Sequence, residues 1–181
     1  AKPDGNPTKL STSVGFINAD DMWALGYTGQ GQTIAVIDTG IKVNHTNFAT
    51  APQDPHFDAA GIQSVLNRYD LCAEERYNGT LTGATLYHSA KLPFTFNYYA
   101  GNTDVSHANA GSDHGTHVSS IAAGCDSSSR GVAYNAQIIS MQVFQNGGAA
   151  WTEILAALED CAWLEVDALN MSLGSDNGFT Q

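Results

Sequence analysis

The sequence predicts an α/β domain built on a parallel sheet. Three runs carry this reading: Thr33 to Asp38, Ala136 to Phe144 and Ala168 to Leu173, each apolar or β-branched without polar alternation. Unbroken apolar strands suit a sheet covered by helices on both faces. A helical stretch between the second and third runs adds direction. Strand, helix and strand in succession give a parallel crossover, right-handed because of strand twist.

Along the chain, residues 1–14 are polar with two prolines and read as an extended arm. Asn18 is expected to cap a short helix whose first turn holds Asp20 and Asp21, where the helix dipole favours acids. Gly26 closes that helix, and Tyr27 to Gly31 form a loop into the first strand. Residues 50–112 hold Pro52, Pro55, Pro93 and the turn signals Asn78-Gly79 and Gly101-Asn102. They read as a long insertion with its own small structure, packed on Tyr69, Phe94, Phe96, Tyr98 and Tyr99. A helix follows from about His114 to Ala123, stopped by Gly124. Another runs from about Thr152 to Glu165, with Thr152 as cap and Ile154, Leu155, Leu158, Cys161 and Ala162 as its apolar stripe.

Composition narrows the function. The 181 residues are 43% apolar and 14% charged, as expected of one folded domain with a core. Seven basic against eighteen acidic residues give a net charge of −11, so nucleic acid is not an expected partner. No apolar run reaches the roughly 18 residues of a membrane span. Cys72, Cys125 and Cys161 lack C-x-x-C spacing, which argues against a structural zinc site and fits free thiols.

In a parallel sheet, functional groups gather at the carboxyl ends of the strands. Asp38 stands at such an end, and Gly40 allows a turn without a Cβ clash. A carboxylate there can accept the Nδ1–H of an imidazole and fix its tautomer, and His114 at a helix start can then act as general base. Each residue has plainer readings. An Asp-Thr-Gly strand end also occurs in phosphoaspartyl enzymes and in simple turns. A histidine at a helix start can be a cap or a surface residue, and Asp113, His114 and His117 could be a metal-binding group.

Three blocks resemble the signature segments of subtilisin-like serine proteases: Ala35-Val36-Ile37-Asp38-Thr39-Gly40-Ile41, His114-Gly115-Thr116-His117-Val118 and Asn170-Met171-Ser172-Leu173-Gly174. They stand in the order that family uses, Asp before His before Ser-Leu-Gly. The resemblance implies a subtilisin-like fold, with Asp38 and His114 as two members of the catalytic triad. It also implies that Ser172, Leu173 and Gly174 line one side of the substrate cleft, with Gly147 and Gly148 opposite, so that a protein or peptide substrate pairs in extended form between them. His45 matches a structural histidine near a helix start. Asn47 falls where relatives place a calcium-ligating aspartate, although the loop after Cys125 is shorter than the usual calcium loop. No cofactor is needed for the chemistry, and structural calcium is the only metal the resemblance suggests.

Two departures refine the expectation. The interval from Asp38 to His114 is longer than in compact secreted subtilisins. Its Lys91-Leu92-Pro93-Phe94-Thr95-Phe96-Asn97-Tyr98 segment is similar to the corresponding part of bacterial cell-envelope proteinases, the lactocepin and C5a-peptidase group. That implies an extracellular or cell-surface protein. Secondly, no Gly-Thr-Ser nucleophile block and no later oxyanion Asn occur up to Gln181. The expectation is therefore the N-terminal part of a serine endopeptidase catalytic domain, inactive alone and completed by a C-terminal remainder. The alternatives are a non-catalytic peptide-binding module and a metal-dependent hydrolase.

Overall fold

The computed structural model describes residues 9–174, with side chains from Ser13 onward. Its elements are α1 (Lys9–Phe16), α2 (Ala19–Ala24), β1 (Thr33–Asp38), a 3-10 turn (Thr46–Phe48), α3 (Ala59–Leu66), α4 (Cys72–Arg76) and α5 (Gly83–Leu86). There follow β2 (Phe94–Asn97), α6 (His107–Ala110), α7 (His114–Ala123), β3 (Gln137–Gln142), α8 (Trp151–Trp163) and β4 (Ala168–Asn170). The four strands form one sheet in the order β2-β3-β1-β4, and every pairing is parallel. The α/β class read from the sequence is the class observed.

Strand alternation divides the core into two layers. Ala35 and Ile37 of β1, Phe94 and Phe96 of β2, and Ile139 and Met141 of β3 point to one face, where Ile62, Leu71, Ala157 and Cys161 cover them. Val36 and Ile138 point to the other, against Ala123 of α7, Phe48, Leu92 and Val105. β1 and β3 are thus covered on both faces, as their unbroken apolar runs predict. The edge strand β4 differs. Its three residues are exposed or half-buried, because among the described residues it pairs with β1 alone.

Several local expectations need correction. Residues 9–14 of the expected extended arm belong to the helix α1, while residues 1–8 lie outside the described residues. Asn18 precedes α2 in the left-handed region (φ 57°) and makes no side-chain cap. Thr152 lies inside α8, where its hydroxyl donates to Glu153 Oε2 at 3.0 Å instead of capping the helix. The inward stripe of α8 is Ile154, Ala157 and Cys161, continued by Leu164 just past its end, whereas Leu155 is 60% exposed. The cause is Asp160, a fully buried carboxylate on the inward face that an apolar count does not see.

Residues 50–112 hold α3, α4 and α5, yet their aromatics do not form a separate mini-core. Residues 94–97 are β2, so Phe94, Phe96 and Tyr98 belong to the main core beside Ile37 and Met141. Tyr69 stacks on Trp163 at 4.6 Å between ring centres, and Tyr99 is exposed. Asp160 links this segment to α8. Its carboxylate accepts from the Cys72 and Ala73 amides that open α4, at 2.7 and 3.0 Å, and from the Tyr98 hydroxyl at 2.7 Å. All three cysteines are free thiols, and burial pushes Cys72 up to about 11 and Cys161 up to about 12.

Candidate active site

β1 ends at Asp38, whose side chain is only 2% exposed. The chain then turns sharply. Thr39 donates its amide to Asp38 Oδ1 at 2.7 Å, and Gly40 takes φ 86°. A Cβ on Gly40 would meet the Val105 carbonyl oxygen at 2.4 Å, so the turn demands glycine for space as well as for conformation. The opening of α7 is laid against this turn. Gly115 donates its amide to Thr39 Oγ1 at 2.9 Å, and His114 donates its own to Ser112 Oγ at 3.2 Å. Two amides that a helix start leaves without partners are satisfied this way, since Asp113 makes no side-chain cap.

The result is a direct carboxylate–imidazole pair. His114 Nδ1 lies 2.9 Å from Asp38 Oδ1 and 3.0 Å from Oδ2. A carboxylate only accepts, so Nδ1 is assigned as the N–H donor and Nε2 is left as the basic nitrogen. The histidine side chain is 47% exposed while its partner is buried. A rigid acceptor behind a reachable base is the arrangement a general base requires.

The other predicted residues occupy the same sheet edge. Asn170 pairs in register with Val36, so Met171 to Gly174 leave β4 on the side where Asp38 stands. Ser172 is exposed and donates its hydroxyl to Asn170 Oδ1 at 3.0 Å, and Leu173 is half-buried against the core. Gly147 and Gly148 follow β3 in a tight hairpin. Gln145 and Gly148 exchange both backbone hydrogen bonds, at 2.9 and 3.0 Å, with Asn146 (φ 50°) and Gly147 (φ 81°) at the tip. Two positive φ values match the turn that suits strand twist. The Gly148 amide and carbonyl thus close the hairpin. No hydrogen bond among the described residues joins either segment to Asp38 or His114.

The metal alternative is not supported by the side-chain arrangement. Asp113 and His117 line a cavity of about 740 Å³ beside α7, together with Lys42, His45, His107 and Thr116, while His114 is engaged with Asp38. Among the described residues, no three His, Cys, Asp or Glu side chains gather to hold a metal ion. The Asn47 carbonyl accepts both the amide and the thiol of Cys125, at 2.8 and 3.0 Å. Asp126 is drawn to the Ser128 hydroxyl and amide, whose hydrogen bonds hold its carboxyl below the usual range. His45 sits at the start of the 3-10 turn, its Nδ1 accepting the Asn47 amide at 3.2 Å.

Residues the sequence reading passed over support the pair. Thr39 and Ser112 anchor the start of α7, and Val105 accepts the Ile41 amide at 2.8 Å. Asn97 and Gln142 are fully buried amides at the ends of β2 and β3. Their signal was present as polar residues closing otherwise apolar strands.

A parallel α/β domain with an aspartate–histidine pair at the carboxyl edge of its sheet defines the architecture, and comparison with known proteins identifies the lineage. The chain belongs to the subtilase family: the Peptidase_S8 subtilase profile matches residues 29–181. It is 33% identical over 172 residues to the PII-type proteinase of Lacticaseibacillus paracasei, covering 89% of this chain and 8% of that protein. It is 29% identical over 173 residues to the minor extracellular protease Vpr of Bacillus subtilis, covering 95% of this chain and 17% of that protein. The chain therefore spans only a small part of these relatives. Among solved structures, the CspB protease of Clostridium perfringens aligns with a TM-score of 0.48 and 20% identity, over 84% of this chain and 31% of that one.

Proposed function

We propose that these residues supply the aspartate and histidine of a secreted or cell-surface serine endopeptidase, with the nucleophilic serine and an oxyanion donor contributed by a later segment of the same protein. The observation that carries this reading is the bond from His114 Nδ1 to both oxygens of buried Asp38. In the reaction, His114 Nε2 takes the serine proton as the hydroxyl attacks the scissile carbonyl. It returns that proton to the leaving amine. Asp38 holds the tautomer and stabilises the imidazolium, and water then hydrolyses the acyl-enzyme by the same route. Subtilase membership and the proteinase relatives support the assignment. The peptide would lie extended along Ser172 to Gly174 and beside the Gly147-Gly148 hairpin. The proposed chemistry needs no cofactor, and a calcium ion bound near Asn47 would serve structure alone.

The test is made on the full-length protein with a serine-directed fluorophosphonate and a casein substrate. Wild type is expected to be labelled at one serine beyond Gln181 and to hydrolyse casein. His114→Ala is expected to lose at least about 10⁴-fold in kcat. The 181-residue chain alone is expected to hydrolyse nothing, because no partner meets the charge developing on the substrate oxygen. Full activity in His114→Ala overturns the proposal. A full-length protein that binds peptides but neither labels nor cleaves supports the non-catalytic binding module instead.

A further inference from the structure

The Asp38–Gly40 turn rests on two buried amides. β2, β3 and β1 place Asn97, Gln142 and Asp38 at one level across the sheet, Asn97 opposite Gln142 and Gln142 opposite Asp38. Neither amide is exposed at all. Asn97 Nδ2 donates to Gln142 Oε1 at 3.2 Å, and Gln142 Nε2 donates to the Phe144 carbonyl at 3.2 Å. The Gln142 amide lies directly against Gly40, since a Cβ there would stand 2.8 Å from its Oε1 and 2.9 Å from its Cδ.

Asn97 holds the other side of the turn. Its Nδ2 also donates to the Asp104 carbonyl at 3.2 Å, and its Oδ1 accepts the Tyr99 and Ala100 amides at 3.1 and 3.0 Å. That fixes the loop ending at Val105, whose carbonyl accepts the Ile41 amide. The turn is thereby supported by Gln142 and by Val105. It carries Thr39, whose amide binds Asp38 and whose hydroxyl binds the second residue of α7. Displacement of Gly40 therefore moves the carboxylate and the histidine-bearing helix relative to each other.

We infer that Gln142, held by Asn97, is a positioning residue for the Asp38–His114 pair, an inference that rests on the proposed function. It acts through the Gly40 turn and touches no substrate. Both members are neutral, so they fix the turn without placing a charge beside Asp38.

The experiment compares Gln142→Met with Gln137→Met in the full-length protein. Gln137 is the second buried glutamine of β3, at the opposite end, bonded to Phe57 and Ala90 backbone. Both substitutions remove buried amide bonds of one strand, but only one lies under the site. Gln142→Met is expected to lower kcat about tenfold with KM unchanged, equivalent to about 1.4 kcal/mol of barrier. Gln137→Met is expected to leave kcat in place. In the 181-residue chain, the low-field Nδ1–H proton signal of His114 should shift or broaden with Gln142→Met only. If Gln142→Met fails to fold, Asn97→Ser takes its place and is expected to lower kcat about threefold with KM unchanged. Equal kcat in the two glutamine variants, or no loss in Asn97→Ser where that variant is used, overturns the inference. An active His114→Ala overturns the underlying reading as well.

Discussion

Gly115 is pressed against Asp38: a Cβ on Gly115 would stand 3.2 Å from both Asp38 Cβ and Oδ1, and 2.3 Å from the Gly40 carbonyl oxygen. The helix carrying the histidine is therefore seated on the strand end carrying the aspartate with no room for a methyl group. That closeness lets a side chain as short as histidine's, one residue earlier, reach both carboxylate oxygens.

Gly115→Ala tests this seating. In an open helix the change would stabilise by up to about 1 kcal/mol. Here the obstacle is backbone, which cannot swing aside, so a net loss of about 1–3 kcal/mol is expected, as for other overpacked contacts. Urea unfolding of the chain reads the loss, and casein hydrolysis by the full-length variant should fall with it. A stabilised variant with full activity would mean that α7 can slide along β1.

Asp38→Asn should separate geometry from chemistry. The amide keeps the shape of the carboxylate but can offer its NH₂ to Nδ1, which places the proton on Nε2 and removes the base. A loss of around 10⁴-fold in kcat is expected at nearly unchanged urea midpoint. Nitrogen-15 shifts of the His114 ring in the chain report the tautomer. An unaltered tautomer together with unaltered kcat would detach Asp38 from the mechanism.

Much of this site was legible because it is built from local rules. The apolar run Thr33–Asp38 and the His114–Ala123 helix ended by Gly124 coincide with the observed bounds. Both elements are specified by their own residues. What the sequence hid was long-range. Phe94, Phe96 and Tyr98 looked like a loop cluster because the strand that makes them core pairs with β3, 45 residues later. Asp160 rotated the inward stripe of α8 because its hydrogen-bond partners come from α4 and from Tyr98, the residue after β2. The amides of Asn97 and Gln142 gain meaning only when register brings them level with Asp38.

Lys91 gives a pH prediction. Its ammonium is almost wholly buried and donates to the Tyr134 and Ala136 carbonyls, and burial lowers its pKa from 10.5 to about 8. Between those values the unfolded chain holds a proton that the folded chain has released, so this group makes stability rise with pH. Cys72 works against it above pH 9, because its raised pKa keeps the folded chain protonated longer than the unfolded one. The difference between wild type and Lys91→Met isolates the lysine. Urea midpoints should move in favour of wild type as pH rises from 8 toward 10, and a pH-independent difference would contradict the burial of a titrating amine.

The Tyr98–Asp160 bond should matter more at neutral pH than in acid. Burial raises the Asp160 pKa, while the Tyr98 hydroxyl and the two α4 amides pull it back by favouring the ionised form. A raised folded pKa means that stability falls as pH climbs through the window above 3.8, because the unfolded chain gives up its proton first. Tyr98→Phe removes one of the three restoring bonds, so it widens that window and deepens the fall. Where the folded carboxyl is ionised the loss should be about 1–3 kcal/mol, the cost of leaving a buried charged acceptor short of one donor. In acid the carboxyl is neutral, the missing donor matters less, and the two proteins should converge. Urea midpoints measured from pH 4 to pH 7 read this directly. An equal loss at every pH would show that Tyr98 contributes only packing, and that α4 is held to α8 without help from its hydroxyl.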